Sequence, residues 1–245
     1  MNLVILRLSF CCFLLCVSKL PVFAQVSLDE LSLDGDLELW YDANRGHENL
    51  AIYTGMHYPM PGQTVLQHQH YKQLTWLMAE VEYDKQHYSQ VEVIYNIYQD
   101  QLIIRNKSIT NPINQRILLD QNKIGSFTID DASFVRLKSD LAPSEGAGFY
   151  QLLFEGETLR LFAKRYKLQS IHGQGIDYLD RSSIYILKDE VFVKYKGLKS
   201  VLKMYPESKS HVKKHAKTNI GNWSNKSEGK LIQLLQFCDQ MDQVK

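Results

Sequence analysis

The sharpest local arrangement of chemically able side chains is Gln67-His68-Gln69-His70. On an extended backbone, residues two apart share a face at a spacing of roughly 6.6–7 Å. Two imidazoles so placed could take one zinc or copper ion if a third ligand closed on it. His47, His57 and His87 are available for that role, and the sequence brings none of them near. The plainer reading is a solvated polar strand or loop, so His68 and His70 stand as candidate metal ligands only. A thiol becomes a nucleophile when a neighbouring histidine lowers its pKa. Cys238 instead follows Leu231, Leu234 and Leu235 at helical steps, on a stripe where a free thiol behaves as a small hydrophobe.

The remaining candidates are charged. Asp130-Asp131 and Glu155/Glu157 fall at turns, where solvated acids are expected, and a glycosidase would need two carboxylates brought together across a fold. The sequence has no Gly-x-Ser-x-Gly elbow, His-Glu-x-x-His pair, phosphate loop or EF-hand loop, so no cofactor is expected. Lys209, Lys213, Lys214 and Lys217, with His211 and His215, form a basic cluster. Anionic lipid headgroups attract such clusters at about 1 kcal/mol per basic residue. The same residues would also offset an acidic body. From Gln25 to Val193 there are 15 Lys/Arg against 23 Asp/Glu, and from Lys194 onward 11 against 4.

The elements that must position these side chains are mostly strands. From about Leu50 to Tyr195 the sequence alternates in period two, with turn signals every ten residues or so. Leu77, Ala79, Val81 and Tyr83 share one face, and Asp84-Lys85-Gln86 turns the chain into a run holding Val91, Val93 and Tyr95. Asp130-Asp131, Glu155-Gly156-Glu157 and Lys188-Asp189-Glu190 mark three further hairpins. Nine to eleven strands follow, most of them sequential neighbours. With no helical crossovers between them they must pair antiparallel, and so long a sheet is expected to close into a barrel or split into a sandwich. After Gly197 the period changes. Lys199 to Tyr205 makes a helical turn that Pro206 ends, Glu207 to about Thr218 is a Lys-rich helix, and Ser227 caps a last helix with Leu231, Leu234, Leu235, Cys238 and Met241 on one stripe. That stripe needs a partner surface, and the β body is the expected one. Residues 25–49 and 55–72 carry little period.

The amino terminus reads as an export signal. Arg7 precedes an apolar run from Leu8 to Val17, which Lys19 and Pro21 interrupt. At about ten residues the run is shorter than the roughly 20 needed to cross a bilayer. Val22-Phe23-Ala24 resembles a signal-peptidase site, giving a leader of 1–24 and a mature chain from Gln25. Cys11, Cys12 and Cys16 leave with the leader, so Cys238 remains without an intramolecular partner. The mature chain is long enough to bury a core without disulfides.

The segments YNIYQDQLII, KIGSFTIDDASFVRL, GFYQLLFEGETLRLFAKRYK and YILKDEVFVKYKGLKSVLKMYPESKSHVKKHAK, in that order, resemble a family of uncharacterised exported β-rich proteins of Bacteroidetes-type bacteria. The resemblance spans roughly Leu50 to Met241. It implies export and one β-rich unit with a helical tail, and it assigns no catalytic residues. The expected organisation is therefore a leader (1–24), a β-rich body (25–197) and a basic helical segment (198–245) of the same domain. The expected function is that of an exported envelope or secreted module, periplasmic or extracellular, in a non-enzymatic binding or structural role. Its partner would be a protein or small molecule of the cell envelope, not nucleic acid, which an exported chain rarely meets. The mature chain has no run of membrane-spanning length. The competing class is a hydrolase using Asp, Glu or His on the β body.

Overall fold

Period-two alternation becomes eleven antiparallel strands. In the computed structural model, which describes residues 50–59, 68–106, 115–140, 142–172, 175–218, 220 and 227–243, they are β1 (Met56–His57), β2 (Leu77–Tyr83), β3 (Gln86–Asn96), β4 (Gln101–Asn106), β5 (Gln115–Leu118), β6 (Ile124–Ile129), β7 (Ala132–Leu137), β8 (Gly148–Glu155), β9 (Leu159–His172), β10 (Gly175–Lys188) and β11 (Val191–Lys194). The expected leader and its Ala24-Gln25 cleavage point, with His47, lie outside the described residues. The strands form one sheet in the order β1-β5-β4-β3-β2-β6-β7-β8-β9-β10-β11.

Two of the hairpins are set by left-handed residues. Asp84 (φ 53°) and Lys85 (φ 66°) join β2 to β3, and Asp189 (φ 49°) and Glu190 (φ 61°) join β10 to β11. Positive φ at both positions of a two-residue loop matches the twist of the flanking strands. Neighbour order is interrupted at β5. From there the chain crosses to β6, which pairs with β2, through a short 3-10 turn at Gln121–Lys123. Asp120 caps that turn by accepting the Asn122 N–H at 2.9 Å. Among the described residues β1 and β11 pair only inward, so the sheet is open and not closed into a barrel. The mainly-β antiparallel expectation holds at that level. Barrel or sandwich goes beyond it.

The core lies in three clusters. Alternate residues of β2 to β8 build the largest, around Tyr95, Phe127, Phe134 and Phe149. Tyr95 meets the other three rings edge-on at 5.1, 5.2 and 5.9 Å, while Phe127 stacks on Phe134 at 4.9 Å. Edge-to-face pairs add specificity to the area they bury. A second cluster joins Leu159, Leu161 and Ile186 of β9 and β10 to the carboxy-terminal helices. These are α1 (Leu198–Met204), α2 (Lys209–Thr218) and α3 (Glu228–Gln243). Leu231, Leu234, Leu235 and Cys238 are almost wholly buried there, each aliphatic side chain being worth about 1.5–3 kcal/mol. The third cluster centres on Tyr150, Phe162 and Tyr185.

Polar contacts pin the second cluster. Asp239 of α3 accepts the Glu157 N–H at 3.1 Å, the Thr158 N–H at 2.7 Å and the Thr158 hydroxyl at 2.7 Å. A Cβ on Gly156 would stand 2.6 Å from the Asp239 carboxyl carbon, so the turn needs glycine there. At the start of α3, Glu228 takes both terminal nitrogens of Arg165 at 2.7 and 2.8 Å. Bidentate pairing of this kind fixes orientation as well as distance.

Candidate functional site

The two histidines are brought together, but in a structural setting. Residues 69–71 run beside the end of β3, where His70 bridges to Asn96 and Tyr71 donates its N–H to the Tyr95 carbonyl at 2.8 Å. The His68 and His70 rings stack with centroids 6.0 Å apart. His68 Nδ1 accepts the His70 backbone N–H at 3.2 Å. Lys167 donates to the His68 carbonyl at 2.6 Å. Burial, then the charges of His68 and Lys167, lower the His70 pKa to about 4. Burial first and Lys167 second also lower that of His68. Among the described residues no group of three or more His, Cys, Asp or Glu could hold a metal ion, so His57 and His87 do not complete a site with this pair.

Cys238 lies on the buried stripe, as its spacing predicts. Burial, then Asp242, pushes its thiol up to about 12, far from the thiolate a nucleophile needs. The buried carboxylates are engaged by the fold itself. Asp100 accepts from the Tyr95 hydroxyl at 2.5 Å, the Phe149 N–H at 3.1 Å and Lys164 Nζ at 2.6 Å. Asp242 holds Lys188 and accepts the Tyr205 hydroxyl at 2.8 Å. For Asp239, burial alone would raise the carboxyl, but its hydrogen bonds from Thr158, Glu157 and Gln243 outweigh that and keep it lowered.

The arrangement left facing outward is on α1 and α2. Val201 and Tyr205, with Val212 and Ala216 of α2, are buried in the second cluster, which also holds Leu159, Leu161 and Ile186 of the sheet. His215 stacks flat on Phe237 of α3 at 3.9 Å. Pro206 follows α1, and residues of the two helices line a cleft of about 1080 Å³. Its floor is Gly197, Leu198, Leu202 and Pro206, and its rim is Lys196, Lys199, Lys203, Lys209 and Lys213. Lys199/Lys203 and Lys209/Lys213 are each four residues apart, so each pair lies on one helix face.

Six lysines outside the cleft are held in ion pairs. Lys72, Lys123, Lys164, Lys167, Lys188 and Lys194 each pair with a carboxylate. None of the five rim lysines has a carboxylate partner among the described residues. Like charges held four residues apart on a helix are mildly destabilising, so the rim is not a stability device. The sequence named Lys209 and Lys213 but grouped them with Lys214 and Lys217, which do not line the cleft. It missed Lys196, Lys199 and Lys203. Their signal was the repeat of Leu198/Leu202 beside Lys199/Lys203.

No family model, no curated protein and no solved structure matches the chain. No helix among the described residues is long and apolar enough to cross a membrane.

Proposed function

We propose that the chain is an exported, non-enzymatic binding module, acting in the periplasm or outside the cell, and that its binding element is the α1–α2 cleft, which takes an anionic ligand. The observation that carries this reading is the set of five lysines lining one cleft, none with a carboxylate partner among the described residues. Converging cations with apolar walls focus positive potential and raise the local concentration of anions. Export rests on the leader at 1–24 and on the resemblance to exported β-rich proteins. The engagement of Asp100, Asp239 and Asp242 in structural bonds supports the non-enzymatic reading over a hydrolase. On this reading the open sheet is a scaffold whose largest core cluster is built around aromatic side chains.

The test is native mass spectrometry of the protein purified from envelope fractions, beside the variant Lys199→Gln/Lys203→Gln/Lys209→Gln/Lys213→Gln. The wild type carries a small anionic molecule that the variant lacks at equal thermal stability. Identical species on both proteins would reject the cleft as the binding element.

A further inference from the structure

Taking the cleft as the binding element, we propose that its ligand is a single-chain amphiphile, an unbranched alkyl tail bearing an anionic phosphate or carboxylate headgroup. A ring of ammoniums alone suits any polyanion. The floor is what narrows the chemistry. Leu198 and Leu202 are four residues apart and line up along α1, and Pro206 continues the apolar surface where the helix stops. Each rim lysine adds an apolar stem beneath its charged head. A small hydrophilic anion would touch the heads and leave this floor wet.

Size and shape point the same way. At about 1080 Å³ the cleft is slightly larger than the roughly 300–1,000 Å³ typical of small-ligand sites. Inorganic phosphate would occupy a small part of it. An alkyl tail laid along α1 covers the exposed parts of Leu198 and Pro206 while its headgroup reaches the rim. Leu198 is only partly buried and Leu202 nearly so, so the tail gains apolar contact on Leu198 without displacing the packed cluster below. The recognition is that of one molecule between two helices, since the lining lysines come from both α1 and α2.

Isothermal titration of the mature chain with octyl, decyl and dodecyl phosphate, each below its micelle concentration, tests this directly. Affinity rises about two- to fourfold for each methylene added, and inorganic phosphate binds far more weakly than dodecyl phosphate. Leu198→Gln flattens the chain-length series, whereas Lys199→Gln/Lys203→Gln weakens every member by a similar factor. If phosphate or pyrophosphate binds as tightly as dodecyl phosphate, the amphiphile inference falls and the anionic cleft stands. If vesicles of phosphatidylglycerol and phosphatidylcholine bind while the alkyl phosphates do not, the ligand is a lipid surface and the inference is overturned. If neutral dodecyl maltoside matches dodecyl phosphate, or nothing binds, the anionic cleft itself is rejected.

Discussion

His70 is 2% exposed and both its ring nitrogens lack hydrogen-bond partners among the described residues. A buried imidazole in that state is held neutral, and its pKa of about 4 lies below the ordinary 6.5. The unfolded chain therefore binds a proton at this residue between pH 6.5 and 4 that the folded chain does not. Stability contributed by the neutral ring is present above 6.5 and is lost as pH falls toward 4, by at most about 3 kcal/mol. Urea unfolding across that window should show a shallower pH slope for His70→Gln than for wild type. Equal slopes would mean that the ring is solvated in the folded state. Asp239 makes the complementary case. Removing its carboxylate strands the Glu157 and Thr158 N–H groups at the foot of α3, so Asp239→Ala should cost about 2–4 kcal/mol. Thermal denaturation within 1 kcal/mol of wild type would contradict that role.

At the scale of elements, the helical segment is held by its apolar stripe and not by its charge. Leu235 is fully buried against the sheet cluster, and a carboxylate there would be desolvated without a partner. Leu235→Asp should destabilise the whole domain by several kcal/mol, read as a lowered melting temperature. Lys213→Ala/Lys214→Ala should leave it within about 0.5 kcal/mol, because both side chains are exposed. A wild-type melt for Leu235→Asp would make the tail an independent arm. Much of this was legible in sequence, because turn and stripe chemistry are local. Asp84-Lys85 and Asp189-Glu190 mark hairpins by residue type, and Leu231, Leu234, Leu235 and Cys238 mark a face by spacing. The long arms of β9 and β10 were not legible. Residues 167–182 put buried Lys167 and Tyr178 beside exposed Leu168 and Ile171, so polarity there does not report which face is covered. Strand β1 was hidden too. It has two residues, both exposed, and exists only through its pairing with β5.

At the scale of the molecule, the acidic body and the basic tail are joined by few strong ion pairs. Arg165–Glu228 and Lys188–Asp242 do connect sheet to helix, and both use acids of the tail, while Lys199, Lys203, Lys209 and Lys213 have no carboxylate partner among the described residues. That is why the charge asymmetry seen in the sequence survives folding as a positive cleft. The sequence could not show the cleft, because its two lysine pairs converge only through the packing of α1 against α2. Screening beyond about 8–10 Å confines the effect of the rim to ligands that reach it. The most direct measurement is an NMR titration of the ¹⁵N-labelled protein with dodecyl phosphate, resolved by residue. Shifts concentrated between Lys196 and Lys213, and abolished in the Lys199→Gln/Lys203→Gln/Lys209→Gln/Lys213→Gln variant, are the predicted result. Shifts centred on the aromatic cluster around Tyr95, or persisting in the variant, would contradict it.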